Sequence, residues 1–113
     1  MTVLITRDEL ETAIAKGEVT VVDALPASYF EQQHLPGAVN LYVEDATSRA
    51  AEVLPDKGAP IVTYCSNASC PNSEGVARTL SRLGYTDVRK YGEGIQDWVE
   101  AGLPTESGAH AVA

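Results

Sequence analysis

Short β-branched, apolar runs alternate with helix-patterned segments along this chain, and that alternation restricts the fold more than any other feature. Val19 to Asp23, Val39 to Leu41, Ile61 to Tyr64 and Asp87 to Lys90 read as strands. Thr6-Arg7-Asp8-Glu9 has the form of a capping box, followed by an apolar stripe at Leu10, Ala13 and Ile14 and a stop at Gly17. Pro26 opens a brief helix carrying Tyr29 and Phe30, and Val43 to Leu54 has a helical pattern. Val76, Ala77, Leu80 and Leu83 recur at helical spacing ahead of Gly84, and Ile95 to Ala101 forms a last helix. Strands separated by helices imply a parallel sheet covered on both faces. The expected fold is therefore α/β, as one domain over residues 1–104. Residues 105–113 have little to bury and are expected to form a flexible tail.

In such sheets, ligands bind beyond the carboxyl ends of the strands. Three loops leave that edge, after Asp23, after Tyr64 and after Lys90. The middle one is the most informative. Ile61-Val62-Thr63-Tyr64 ends abruptly in Cys65; small and polar residues follow, and a helix begins near Ser73. That order puts a thiol at the end of a buried strand, facing the amino end of a helix. Backbone N–H groups and the helix dipole there favour a thiolate and can hold an anion beside it. Cys65 is the candidate nucleophile, and a buried core cysteine is the plainer reading of the same position.

A net charge of −8 argues against nucleic acid or an anionic membrane as the main partner. Two cysteines are too few for a disulfide framework or a four-ligand zinc site, and His34 and His110 lack ligand spacing. No metal is expected. The first residues carry no basic segment and no long apolar run, and no stretch approaches the roughly 20 apolar residues of a membrane span. A cytoplasmic location with free thiols is the expectation.

Three segments together resemble the single-domain rhodaneses, a sulfurtransferase family. They are Val21-Val22-Asp23 with Tyr29 and His34-Leu35-Pro36-Gly37-Ala38-Val39-Asn40; Tyr64-Cys65 through Ser73; and Gly92-Glu93-Gly94-Ile95-Gln96-Asp97-Trp98 with Ala101-Gly102-Leu103-Pro104. The likeness runs from about residue 4 to 106 in the family's order. It implies the rhodanese fold, an α/β parallel sheet of about five strands flanked by helices on both faces, and transfer of a sulfane sulfur through a persulfide on Cys65, with no metal or organic cofactor. The implied partners are a small sulfur donor and an acceptor that is a thiol or a protein cysteine.

The loop departs from the family pattern. It is two positions longer than the common C-R-x-G-x-R form, Ser66 and Asn72 stand where arginines often do, and no basic residue lies between Cys65 and Arg78. Leu25 likewise replaces an arginine common after the first strand's aspartate. A dianion such as thiosulfate then lacks its usual clamp, and the oxyanion-binding phosphatase relatives of the fold are disfavoured for the same reason.

The loop residues Ser66, Asn67, Ala68, Ser69, Cys70, Asn72 and Ser73 are candidates for holding the anion. Ser66, Asn67 and Ser69 supply donors or are simply solvated, and Asn72 and Ser73 bind substrate oxygens or, more plainly, cap the following helix. Cys70 is a second thiol able to resolve or accept sulfur, or a small loop filler. Asp23, His34, Gly92, Gly94 and Trp98 are expected to support the site structurally, His34 by fixing the Leu35-Pro36-Gly37 turn. Two other functions stay open: a Cys65/Cys70 thiol–disulfide redox module, and a non-catalytic binding or regulatory domain.

Overall fold

Strands buried at successive positions, such as Ile61–Tyr64, need both faces of their sheet covered, and the computed structural model, which describes residues 2–108, shows how. The order is β1 (Val3–Leu4), α1 (Arg7–Lys16), β2 (Thr20–Asp23), α2 (Ala27–Gln32), β3 (Val39–Asn40), a 3-10 turn (Val43–Asp45), α3 (Ala46–Val53), β4 (Ile61–Tyr64), α4 (Asn72–Arg82), β5 (Val88–Tyr91) and α5 (Gly94–Glu100). The strands form one parallel sheet in the order β1-β5-β4-β2-β3. Val22, Ile61 and Cys65 pack with Ala46, Ala50, Val76 and Leu80, so α3 and α4 cover one face. Val21, Val62, Tyr64 and Tyr91 pack with Leu10, Phe30 and Trp98, so α1, α2 and α5 cover the other.

The helix ends follow from local sequence. The Thr6 hydroxyl accepts the Glu9 N–H at 3.2 Å while the Thr6 N–H donates to Glu9 Oε1 at 3.0 Å, completing the capping box. Gly17 ends α1 in the left-handed region, with φ +68°.

Two features differ from the sequence reading. Val3–Leu4 is an edge strand beside β5, although both side chains are exposed. The segment expected to be a loose tail is hydrogen-bonded through Gly108. His34 and Glu106 exchange two backbone bonds of 2.8 Å, and the Gly108 N–H donates to Glu31 O at 2.8 Å. Backbone pairing needs no apolar side chain, which is why composition gave no sign of it. The remainder of the expected tail, with His110, lies outside the described residues. Among the described residues, no helix is long and apolar enough to cross a membrane.

Candidate active site

The two-residue period of a strand decides which side chains of β4 meet which helices. Val62 and Tyr64 point to the α1/α5 face; Ile61 and Cys65 point to the α4 face. Thr63 shares that side, and its hydroxyl donates to Ser73 O in the first turn of α4 at 3.0 Å. Cys65 is therefore delivered by parity to the start of α4. It is 1% exposed. Its Sγ lies 3.3 Å from Cys70 O and 3.5 Å from Ser73 Oγ.

Residues 66–71 curl over this sulfur. The Cys70 N–H donates to Asn67 O at 3.1 Å, and the Ser69 N–H donates to Asn67 Oδ1 at 2.9 Å, making a tight Asx turn. The loop is fastened from below by α5: the Ile95 and Gln96 N–H groups donate to Cys65 O and Ser66 O, each at 2.9 Å. Those bonds require close approach. Gly94 has φ +75°, and a Cβ there would sit 2.6 Å from Ser66 C and 2.7 Å from Asn67 N and Cys65 O. Gly92 is different: it has no positive φ, and a Cβ would meet only ordinary contacts, so the supporting role expected of it is not required by its backbone.

The electrostatics correct a further expectation. Burial pushes the Cys65 thiol up, and its hydrogen bond with Cys70 pushes the same way; the Ser73 hydroxyl and N–H pull back without prevailing. Burial also works upward on Cys70, but hydrogen bonds from the Cys65 thiol, the Asn72 and Ser66 N–H groups and the Ser66 hydroxyl outweigh it and bring that thiol below its ordinary value. Of the donors expected to cradle an anion on Cys65, Ser66 and Asn72 thus act on the Cys70 thiol, and Ser73 acts on Cys65. The N–H groups of Ser69 and Cys70 are committed within the loop, the Asn67 amide donates to Gln96 Oε1 at 3.3 Å, and Ala68 and Ser69 are exposed.

Neither Asn72 nor Ser73 caps α4. Pro71 occupies the cap position without a side-chain bond. Asn72 Nδ2 instead donates to Ala24 O at 3.2 Å, tying the α4 start to the loop after β2. Ser73 sits one residue further in, with its hydroxyl beside Cys65.

Asp23 lies on the opposite face, where its Oδ2 accepts the Tyr64 hydroxyl at 2.7 Å and its Oδ1 accepts the Leu25 N–H at 2.8 Å. Burial raises its carboxyl to about 6 against these bonds. The Tyr64 oxygen also accepts the Leu35 N–H at 3.1 Å, so one hydroxyl joins two strands to the turn. His34 is buried and stacked on Phe30 with 3.9 Å between ring centres. Its Nδ1 lies 2.7 Å from Phe30 O, a bond that fixes the proton on that nitrogen. Trp98 donates from Nε1 to Pro104 O at 2.8 Å and packs edge-on against Tyr91. The sequence reading missed Tyr64 and Asn40, whose amide donates to Asp23 O and Leu25 O at 3.2 and 2.8 Å. An acid and a tyrosine closing neighbouring strands was the available signal for the first.

Cations near this edge are paired. Arg78 and Lys90 reach Glu74 at 3.2 and 3.0 Å, and Arg7 reaches Asp97 at 3.0 Å. Among the described residues, no group of three or more His, Cys, Asp or Glu is placed to hold a metal ion. A cleft of about 500 Å³ lined by Thr2, Val3, Arg78 and Tyr85, among others, includes neither cysteine.

A doubly covered parallel sheet with a thiol at its carboxyl edge, under a loop joining strand to helix, defines a class of cysteine-bearing α/β domain. The rhodanese-like domain model matches residues 6–101, and the chain belongs to that family. It is 37% identical to the HTH-type transcriptional regulator Rv0324 of Mycobacterium tuberculosis over 93% of this chain, and spans 45% of that relative's length. It is 32% identical to the thiosulfate sulfurtransferase PspE of Escherichia coli, over 67% of this chain and 70% of the relative. The crystal structure of BH2092 from Bacillus halodurans shares the fold, with a TM-score of 0.86 at 24% identity, covering 99% of this chain and 82% of that one.

Proposed function

We propose that this domain transfers sulfane sulfur through a persulfide on Cys65. The observation that carries the reading is the place of that sulfur: it ends the central strand of a rhodanese-like sheet and faces the first turn of α4, with Ser73 Oγ at 3.5 Å. The 32% identity to a thiosulfate sulfurtransferase supports the same activity. Cys65 attacks the outer sulfur of a donor, the S–S bond of the donor breaks, and the donor remainder leaves as an anion. A thiol, small or on a partner protein, then removes the sulfur from Cys65. The reducing cytoplasm suits both free thiols.

Loading requires the 66–71 loop to part, because Cys65 is 1% exposed beneath it. With the loop withdrawn, the Ser73 hydroxyl and N–H remain to receive negative charge on the sulfur. No guanidinium takes part, so inorganic polysulfide or a small organic persulfide is preferred over thiosulfate. Neither nucleic acid nor membrane is a partner in this scheme, and no cofactor is used. The test is turnover of polysulfide with a small thiol. Cys65→Ser is expected to reduce it on the order of a thousandfold, as loss of a covalent nucleophile does; wild-type turnover by that variant contradicts the proposal.

A further inference from the structure

The loop brings a second cysteine against the first. The turn at Asn67 folds Cys70 back so that its carbonyl accepts the Cys65 thiol at 3.3 Å, and Cys70 packs against the same apolar cluster as Cys65. The carbonyls that begin the loop are pinned by the Ile95 and Gln96 N–H groups, and Gly94 leaves the space those bonds need. Hydrogen bonding from Cys65, Asn72 and Ser66 holds the Cys70 thiol below its ordinary value, which favours a thiolate. Cys65 is sealed while Cys70 remains partly open.

We infer that Cys70 is a resolving nucleophile that discharges Cys65 from inside the loop. The inference rests on the Cys65 persulfide reading. The Cys70 thiolate attacks Cys65 Sγ in Cys65–S–SH. The Cys65–Cys70 S–S bond forms, the bond to the outer sulfur breaks, and that sulfur leaves as hydrosulfide with the electron pair and its proton. The disulfide returns to two thiols through exchange with a low-molecular-weight thiol, two equivalents of which are oxidised to their own disulfide. The atoms and charges balance with donor and thiol alone, and the net reaction is thiol-driven reduction of sulfane sulfur to hydrosulfide. This gives the extended, arginine-free loop a purpose. Its turn places an attacking thiol that is part of the chain beside Cys65, in place of a diffusing anion. Bridging demands Cα atoms within about 7 Å, which a short turn folded back on its own first residue can supply.

The experiment compares wild type, Cys70→Ser and Cys70→Ala after brief anaerobic exposure to inorganic polysulfide, with donor removed and no thiol added. Intact mass, sulfide release and non-reducing peptide mapping are followed in time. Wild type is expected to become two hydrogens lighter through a Cys65–Cys70 link and to release hydrosulfide. Both variants are expected to stay one sulfur atom heavier, with a persulfide lifetime extended about tenfold or more. A wild-type persulfide as long-lived as that of the variants, with no linked peptide, overturns the resolving role and leaves sulfur loading standing. No added sulfur on either variant, with the fold intact by circular dichroism, overturns the Cys65 persulfide and the resolving step with it.

Discussion

Tyr64 and Cys65 are neighbours in the chain and do opposite work. Tyr64 points to one face of the sheet, where its hydroxyl closes a network of Asp23, Leu25 N–H and Leu35 N–H with all partners in place. Cys65 points to the other, where its sulfur meets the Cys70 carbonyl, a serine hydroxyl and a curled loop. The first region is a buried, hydrogen-bonded polar network, which stiffens a structure and fixes one arrangement. The second has soft sulfur contacts and a loop whose tip, at Ala68 and Ser69, is exposed. One step along a strand separates scaffold from chemistry, because alternate residues face opposite layers.

The sharpest way to break that division is at the point where the two regions are joined. Gly94→Ala puts a methyl group inside three backbone contacts and forces an L residue to φ +75°. The expected loss is about 4 kcal/mol or more in chemical denaturation, together with release of the loop, so that Cys65 alkylates faster with iodoacetamide. Gly92→Ala, where nothing crowds a methyl, serves as the control.

Tyr64→Phe acts on the scaffold alone. It strands a buried carboxylate oxygen and the Leu35 N–H, and is expected to cost about 3 kcal/mol while leaving sulfur loading of Cys65 in place. Loss of loading at unchanged stability would show that the two faces are not separable in this way.

A smaller effect comes from Asp23. Its carboxyl is raised to about 6 in the folded chain from an ordinary value of 3.8, chiefly by burial. The folded state therefore holds the proton more tightly than the unfolded one. That contribution to stability is full below about pH 3.8 and is lost as pH rises through about 6. Glu9, Glu74 and Asp97 are shifted downward and slope the other way, so the comparison is made against Asp23→Asn. Between pH 4 and 7, wild type is expected to lose on the order of 2 kcal/mol relative to that variant. Parallel curves would contradict it.

The sequence showed the layer order because Val21-Val22, Ile61-Val62 and the stripe of α4 write burial directly into residue type. The place of Cys65 was legible because a β-branched run ends on it just ahead of a helix. Contacts made by backbone alone were not legible. Val3–Leu4 joins the sheet with both side chains exposed, and Glu106 pairs with His34 through N–H and carbonyl groups. The direction of side-chain amides was equally hidden. Asn72 sits where a cap is expected, yet its amide spans to Ala24, because Pro71 already holds the cap position. Which sulfur the loop amides serve depends on one turn at Asn67, and no residue type announces it.

The central claim is that the sulfur at the end of β4 is the one that carries cargo. The most direct measurement uses Cys70→Ser, in which discharge from within the loop cannot occur, loaded with inorganic polysulfide and fragmented across the 58–78 peptide. One added sulfur on Cys65 is the expected result. A folded Cys70→Ser chain that gains no sulfur, or gains it only away from Cys65, would contradict it.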